Sequence, residues 1–414
     1  MSIIILNTIA ILASLPWVFA AFVFCGESLA ALLFGRDLKR GIRERRQRDE
    51  AASLPSLAVL IPAHNEEACI ERTARHVIDR LAGNGRVVVI ADNCEDDTAA
   101  LAKNAGAEVI ERSDAKLRGK GYALEFGFKH LSADPPDVVF VLDADCRVGR
   151  FTFIDAPRLA DETGRPVQSL NLCRSGETSA SGAVSELGIR FKNLIRPLGL
   201  NAMGLPCHLM GTGMALPWSA VRKIPSLGGE LAEDMKLGVD LALAGLPTLF
   251  CPTARVASGL PAGGEAFRSQ RTRWEQGHLS TAKLFPALVV AGLLRRSLSL
   301  VALGLDLTIP PLSLFVLGGA ALFALNLLIS VLSGAWLGTA VLAAAGVCFA
   351  FTILCGWAAY CRRTVPLKTI LGIPWYIVRK LPIYAGYFLG RGQTSWVRTA
   401  RSGSPSRLST KASP

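Results

Sequence analysis

Residues 3–35 form an apolar run in which Glu27 is the only ionisable side chain. Crossing about 30 Å of hydrocarbon takes about 20 helical residues, so a run of this length leaves a membrane helix as its simplest fold. A secretory leader would start with basic residues, carry a shorter apolar core and close on a cleavage site. Here no Lys or Arg precedes Arg36. Residues 1–35 are therefore expected to stay as a transmembrane helix. The cluster RDLKRGIRERRQR follows at 36–48. By the positive-inside rule it puts that end of the helix, and a linker over 36–54, in the cytoplasm.

A second apolar block, from about Thr308 to Tyr360, breaks near Ser333, Gly334, Ala335 and Trp336. It reads as a transmembrane hairpin over 306–362. The turn lacks Lys and Arg, as an outer loop does, and Arg362 and Arg363 stop the second helix inside. Asp306 is expected at the interface where the hairpin begins. Residues 281–305 and 363–392 look interfacial. The latter holds Pro374, Pro382, Lys368, Arg379 and Lys380 among aromatics such as Trp375 and Tyr384, which suits a helix at headgroup level; a fourth span is the alternative. The basic tail at 393–414 is expected to be disordered.

Half of the 414 residues are hydrophobic and the mean hydropathy is +0.36, between a soluble enzyme and a polytopic transporter. The net charge of +12 is concentrated at 36–48 and in the tail, where membrane orientation accounts for it. No nucleic-acid-binding pattern is present, so no nucleic-acid partner is expected. The 10 cysteines show no CxxC pair or zinc spacing, as in a reducing compartment.

Between 55 and 280 short apolar runs alternate with amphipathic segments. SLAVLIPA, RVVVIADN, AEVIER and DVVFVLDAD read as strands. EACIERTARHVIDRLAG, DDTAALAKNAG and GKGYALEFGFKHL read as helices, the first burying Ile70, Ala74, Val77, Ile78 and Leu81 and stopping at Gly83. All-apolar strands alternating with helices predict an α/β domain with a mostly parallel sheet covered on both faces. Ligands of such sheets bind at the carboxyl ends of the strands. Those ends carry His64, Asn65 and Glu66, then Asp92 and Asn93, then Asp143 and Asp145, which should share one rim.

The rim suggests chemistry. Asp143 and Asp145, taken as extended chain, would point to one side and offer hard oxygens to Mg²⁺ or Mn²⁺ beside a diphosphate. A strand-end turn with solvated carboxylates is the plainer reading. Asp92 and Asn93 suit a uracil or ribose edge, or equally an Asx turn capping the next helix. Lys120, at a glycine-flanked helix start, suits a diphosphate or a basic turn.

PAHNE (62–66), ADN (91–93), GKGYAL (119–124), DAD (143–145), AED (232–234) and QRTRW (270–274) come in the order seen in the family 2 glycosyltransferases. The chain resembles their membrane-bound, cellulose-synthase-like and exopolysaccharide-making branch over roughly 55–280. The resemblance implies a GT-A-like nucleotide-sugar domain. It makes Asp234, with Glu233 beside it, the catalytic pair, and Asp234 the base that takes the acceptor hydroxyl proton. Ala232 stands where the family usually has Thr. Gln270, Arg273 and Trp274 match the family's QxxRW: Gln270 and Arg273 would hold the donor diphosphate, and Trp274 would stack on a sugar. Gly211 and Thr212 fall where the family places its acceptor-facing loop. Asn65, Glu66, Asp92, Asn93, Lys120 and Asp143 complete the implied donor set.

The expected function is a metal-dependent, inverting, hexosyl-type transferase of the inner membrane with its catalytic domain in the cytoplasm. It would take a nucleoside-diphosphate sugar, expected to be UDP-linked, and act on a lipid-linked oligosaccharide or a polysaccharide. A processive synthase subunit working with polysaccharide-assembly proteins is the alternative within the class. A non-catalytic scaffold of an export complex would be expected to have lost its acidic rim, and a transporter would carry more intramembrane charge.

Overall fold

The computed structural model describes residues 2–48, 53–175, 180–228, 233–260, 264–368, 372–378 and 380–389. Ala232 and the tail at 393–414 lie outside them. A long helix, α1 (Ser2–Arg48), is followed by β1 (Leu57–Ala63), α2 (Ile70–Leu81), β2 (Arg86–Asp92), α3 (Thr98–Asn104), β3 (Glu108–Arg112), α4 (Lys120–Leu131) and β4 (Val138–Val141). Side-chain alternation divides these strands between two cores. Leu57, Val59 and Ile61 of β1 pack with Ile70, Ala74, Val77 and Leu81 of α2. Ala58 and Leu60 pack with Ala123, Leu124, Phe128 and Leu131 of α4. Gly127 lets α4 lie flat on the sheet, because a Cβ there would come within 2.8 Å of Leu60 and Ile90 side-chain carbons.

The remaining strands are β5 (Arg147–Val148), β6 (Val167–Ser175), β7 (Met214–Pro217) and β8 (Leu249–Leu260). With them come α5 (Thr152–Thr163), α6 (Ala180–Arg190), α7 (Arg196–Ala202), α8 (Trp218–Val221) and α9 (Glu233–Leu243). The eight strands run in the order β3-β2-β1-β4-β7-β6-β8-β5. β1 is parallel to both β2 and β4, and β2 to β3. β7 is antiparallel to β4 and to β6, and β8 is parallel to β6. This is the mostly parallel sheet expected, with an antiparallel strand at its centre.

The helical part follows as α10 (Gly264–Ala282), α11 (Phe285–Leu294), α12 (Leu298–Leu307), α13 (Leu312–Ser333), α14 (Leu337–Gly356), α15 (Ile373–Val378) and α16 (Leu381–Phe388). Among the described residues, Ile4–Gln47, Thr272–Leu294, Leu312–Ser333 and Leu337–Cys361 are long and apolar enough to cross a membrane. The second of these overlaps the segment that sequence assigns to the interface from 281. Trp17 of α1 stacks on Phe315 of α13 with ring centroids 4.9 Å apart, and its indole N–H donates to the Phe315 carbonyl at 2.8 Å. The outward faces expose Phe22, Leu332, Val347 and Phe351, an apolar girdle of the kind lipid covers.

The helical part and the sheet domain share one core. Phe24, Phe191, Phe250, Phe315 and Phe349 belong to a single cluster that crosses between them. At Gly199 of α7 a Cβ would lie 1.7 Å from the Glu27 carbonyl oxygen, so the two helices touch backbone to backbone. The basic end of α1 stays helical to Arg48, inside the stretch read as a linker from 36. It docks on α5, with Arg45 2.6 Å from Glu162 and the Arg46 guanidinium 3.5 Å from the Phe151 ring centroid.

Candidate active site

β4 ends at Val141, and Asp143–Cys146 make a turn closed by the Cys146 N–H donating to the Asp143 carbonyl at 3.1 Å. The Asp-x-Asp is thus a turn, not the extended chain expected. The carboxylates converge because the turn folds back: ligand atoms of Asp143, Asp145 and Cys146 lie within 4.8 Å of one another. Burial, then the charges of Asp143 and Asp145, push the Cys146 thiol well above its usual pKa. Two carboxylates beside an un-ionised thiol offer hard oxygen donors and fit Mg²⁺ or Mn²⁺ better than a thiolate metal.

The loop at 208–213 lies across this turn. The Asp143 N–H donates to Thr212 Oγ1 at 3.0 Å. Buried Gln168 holds the loop from behind: its Nε2 donates to the Thr212 carbonyl and its Oε1 accepts from the Met210 N–H. Gly211 has φ +81°, and a Cβ there would stand 3.1 Å from Asp234 Oδ2. Gly211 therefore lets the loop pass directly under the carboxylate that begins α9.

Lys120 ties the acidic groups together. Its ammonium donates to Asp143 Oδ1 at 2.5 Å and to the Gly211 carbonyl. Burial alone would lower its pKa, but Asp143, Glu233 and Asp234 outweigh it and hold the ammonium above the usual lysine value. Glu233 is pushed the other way for a carboxyl, up to about 7, by burial and then by the charge of Asp234, with Lys120 opposing. The sign follows. Below pH 7 Glu233 is neutral; above it, its negative charge beside Asp234 strengthens Asp234 as a base. Transfer is expected to rise severalfold through a pH near 7, and Glu233→Gln should flatten that rise; an unchanged pH profile of kcat in the variant would remove Glu233 from this role.

At the end of β2, Asp92 is buried and pairs with Arg112 at 2.6 Å. Asn93 adopts φ +50°, donates to Asp92 and accepts the Asp114 N–H at 2.8 Å. Asn65 also sits in the left-handed region, and its side-chain oxygen accepts the Glu95 N–H at 2.7 Å. Both amide oxygens thus tie loops distant in sequence, 21 residues apart for Asn93 and 30 for Asn65, and neither bond is the helix-capping Asx turn that was the alternative for Asn93.

One cavity of about 1080 Å³ gathers most of the predicted residues. Glu66, Asp92, Asn93, Lys120, Asp143, Asp145, Gly211, Thr212, Glu233, Asp234, Arg273 and Trp274 all line it. Asn65 does not, and the side chain of Gln270, on α10, lies outside the described residues. The cavity continues past Asp234 to Phe24, Val316, Phe349 and Ile353 of the apolar helices. Sequence reasoning did not single out Lys192, Arg196 or Glu275, which line the middle. The signal for the first two was present: a Lys and an Arg four residues apart in the apolar stretch IRFKNLIRPLGL.

A mostly parallel sheet whose strand ends carry an acid pair over a deep cleft defines a nucleotide-sugar transferase of the GT-A architecture. The chain belongs to glycosyltransferase family 2: residues 55–277 match the family described as "Glycosyltransferase like family 2". Among curated proteins, the probable glycosyltransferase YdaM of Bacillus subtilis is 27% identical over 246 residues, 56% of this chain and 57% of that protein. The beta-monoglucosyldiacylglycerol synthase of Trichormus variabilis is 27% identical over 247 residues, 56% of this chain and 50% of that one. The chain thus aligns with only about half the length of these relatives. Among solved structures, the mannosyltransferase PcManGT of Pyrobaculum calidifontis, in complex with GDP-Man and Mn²⁺, superimposes with a TM-score of 0.50 at 15% identity. The match covers 91% of this chain and 99% of that one.

Proposed function

We propose that the protein transfers a sugar, with inversion, from a nucleoside diphosphate (UDP by expectation) to a lipid-borne acceptor at the membrane. The observation that carries this reading is the continuity of the cavity from the Asp143–Asp145 turn to the apolar helices. A soluble acceptor needs no such extension; a lipid can lay its chains against Phe349 and Ile353 and present its headgroup to Asp234. The beta-monoglucosyldiacylglycerol synthase named above, by its name, makes a glucosylated lipid.

In this mechanism Asp234 takes the proton of the acceptor hydroxyl as that oxygen attacks the anomeric carbon. The bond from that carbon to the diphosphate oxygen breaks, and its electron pair leaves with the nucleotide. Lys120 and Arg273 face the diphosphate and offset its charge. A divalent ion held by Asp143 and Asp145 would supply further electrostatic stabilisation of the leaving group. The apolar face of Trp274 stacks against a sugar ring. The basic end of α1 docks on the catalytic domain, and by the positive-inside rule this supports a catalytic domain on the cytoplasmic side.

The test is to incubate membranes carrying the protein with labelled nucleotide-sugars and Mg²⁺ or Mn²⁺. Label should enter the lipid extract and be lost on metal chelation. Label found only in insoluble polymer or free sugar would defeat the lipid reading, and transfer indifferent to chelation would defeat the metal.

A further inference from the structure

Between α6 and α7 the helical ladder slips into a π turn, Phe191–Ile195. Such turns re-aim side chains and occur frequently at functional sites. Here Phe191, Asn193, Leu194 and Ile195 are buried in protein, while Lys192 is exposed, and the space it lines is the cavity. No hydrogen bond or ion pair with another described residue engages its ammonium. Three other cations that line the cavity are held by carboxylates: Lys120 by Asp143, Arg196 by Glu27 and Asp306, and Lys380 by Glu275.

The position of Lys192 relative to the base gives it meaning. Lys120 feels the charges of Asp143, Glu233 and Asp234. Lys192 feels those of Asp234, Arg196, Asp306 and Glu275. Asp234 thus acts on both lysines, and all three line the same cavity. Its pKa lies below the usual lysine value, foremost because the surrounding protein partly desolvates the ammonium.

An ammonium open to the cavity and without a counter-ion among the described residues is placed to meet an anion that enters there. The donor diphosphate belongs at Lys120. What approaches from the apolar side is the acceptor. We propose that Lys192 binds a phosphate of the acceptor lipid, so that the enzyme selects lipids that carry a phosphate near the attacking hydroxyl. This rests on the lipid-acceptor reading above. A glycerophospholipid with a headgroup hydroxyl and a polyprenyl diphosphate bearing a sugar share that chemistry. An uncharged diacylglycerol would leave the lysine unanswered.

The experiment uses the full chain in neutral detergent with its sugar donor and three acceptors: phosphatidylglycerol, a polyprenyl-diphosphate monosaccharide and diacylglycerol. One of the two phosphate lipids should be glycosylated, and which one identifies the source. For it, Lys192→Met should raise KM about tenfold or more, the scale of a lost charge-assisted hydrogen bond, and Lys192→Arg should restore most of the loss. Donor Kd should stay constant in both variants, which also reports that they fold. An unchanged acceptor KM in Lys192→Met overturns the inference, as does glycosylation of diacylglycerol with both phosphate lipids inert; either result leaves the lipid reading standing. Failure to glycosylate any of the three would overturn the inference and the lipid reading together.

Discussion

Asp234→Asn is expected to lower sugar transfer by about 10²–10⁴-fold, the range a positioned general base supplies, while leaving UDP affinity near its original value. The separation of the two effects follows from the geometry. Asp234 lies in the first turn of α9, with a side-chain oxygen beside Gly211, and lines the cavity. Asparagine keeps the shape and hydrogen-bonding reach of the side chain but cannot take a proton. Because Lys120 also pairs with Asp143, the donor side keeps its cation when Asp234 becomes neutral. Isothermal titration with UDP and a radiolabel transfer assay on the same preparation separate the outcomes. Turnover within a few-fold of the unmodified protein would remove Asp234 as the base; lost UDP binding would place it in the donor site instead.

How much of this could be read without coordinates depends on how local the signal is. β1, β2 and β4 are buried on both faces and therefore appear as uninterrupted apolar words, LAVLIPA, VVVIA and VVFV, separated by helices of clear period. Their carboxyl ends, and so the acid rim, are fixed once the strands are recognised. The second half of the sheet hides for the opposite reason. β7 is four residues long and antiparallel, and β6 buries Gln168, Ser169 and Asn171 to clamp the loop at 208–213. Buried polar residues blur an apolar pattern. For the Asp-x-Asp the sequence left both strand and turn open, and one backbone hydrogen bond, Cys146 to Asp143, decides between them. The apolar half of the cavity is set by pairing between helices distant in sequence, such as Trp17 with Phe315 and Phe24 with Phe349, and no local motif encodes that pairing.

Glu27 shows the limit well. A carboxylate alone in an apolar run demands a partner, but nothing in the run names it. The partner is Arg196, whose Nε donates to Glu27 at 2.7 Å while a terminal nitrogen donates to Asp306 Oδ1 at 2.5 Å. Asp306 is thus buried in protein against α7.

Arg196→Met is therefore expected to produce the largest loss of stability of any single change considered. Arg196 and Glu27 side chains keep 7% and 4% of their exposure, and Asp306 12%, so removal of the guanidinium leaves both carboxyl groups buried, Glu27 without its cation and Asp306 with His208 at 3.3 Å. Breaking a buried ion pair from one side typically costs about 3–5 kcal/mol, because the surviving charge loses its counter-ion but keeps its desolvation. The loss also falls at a joint: Glu27 belongs to α1, Arg196 to α7 and Asp306 to α12, so the helical part and the catalytic domain loosen together. For a domain of 150–250 residues each kcal/mol moves the melting midpoint by about 2–4 °C, so a fall on the order of 10 °C is expected in thermal unfolding of the detergent-solubilised protein. The triple variant Arg196→Met with Glu27→Gln and Asp306→Asn removes the stranded charges and should recover most of the loss, since the three groups act as one network. A single variant that melts with the unmodified protein would show the triad to be hydrated and of little structural weight. A triple variant no better than the single one would place the stabilisation in the shape of Arg196, its packing between α1 and α12, and not in its charge.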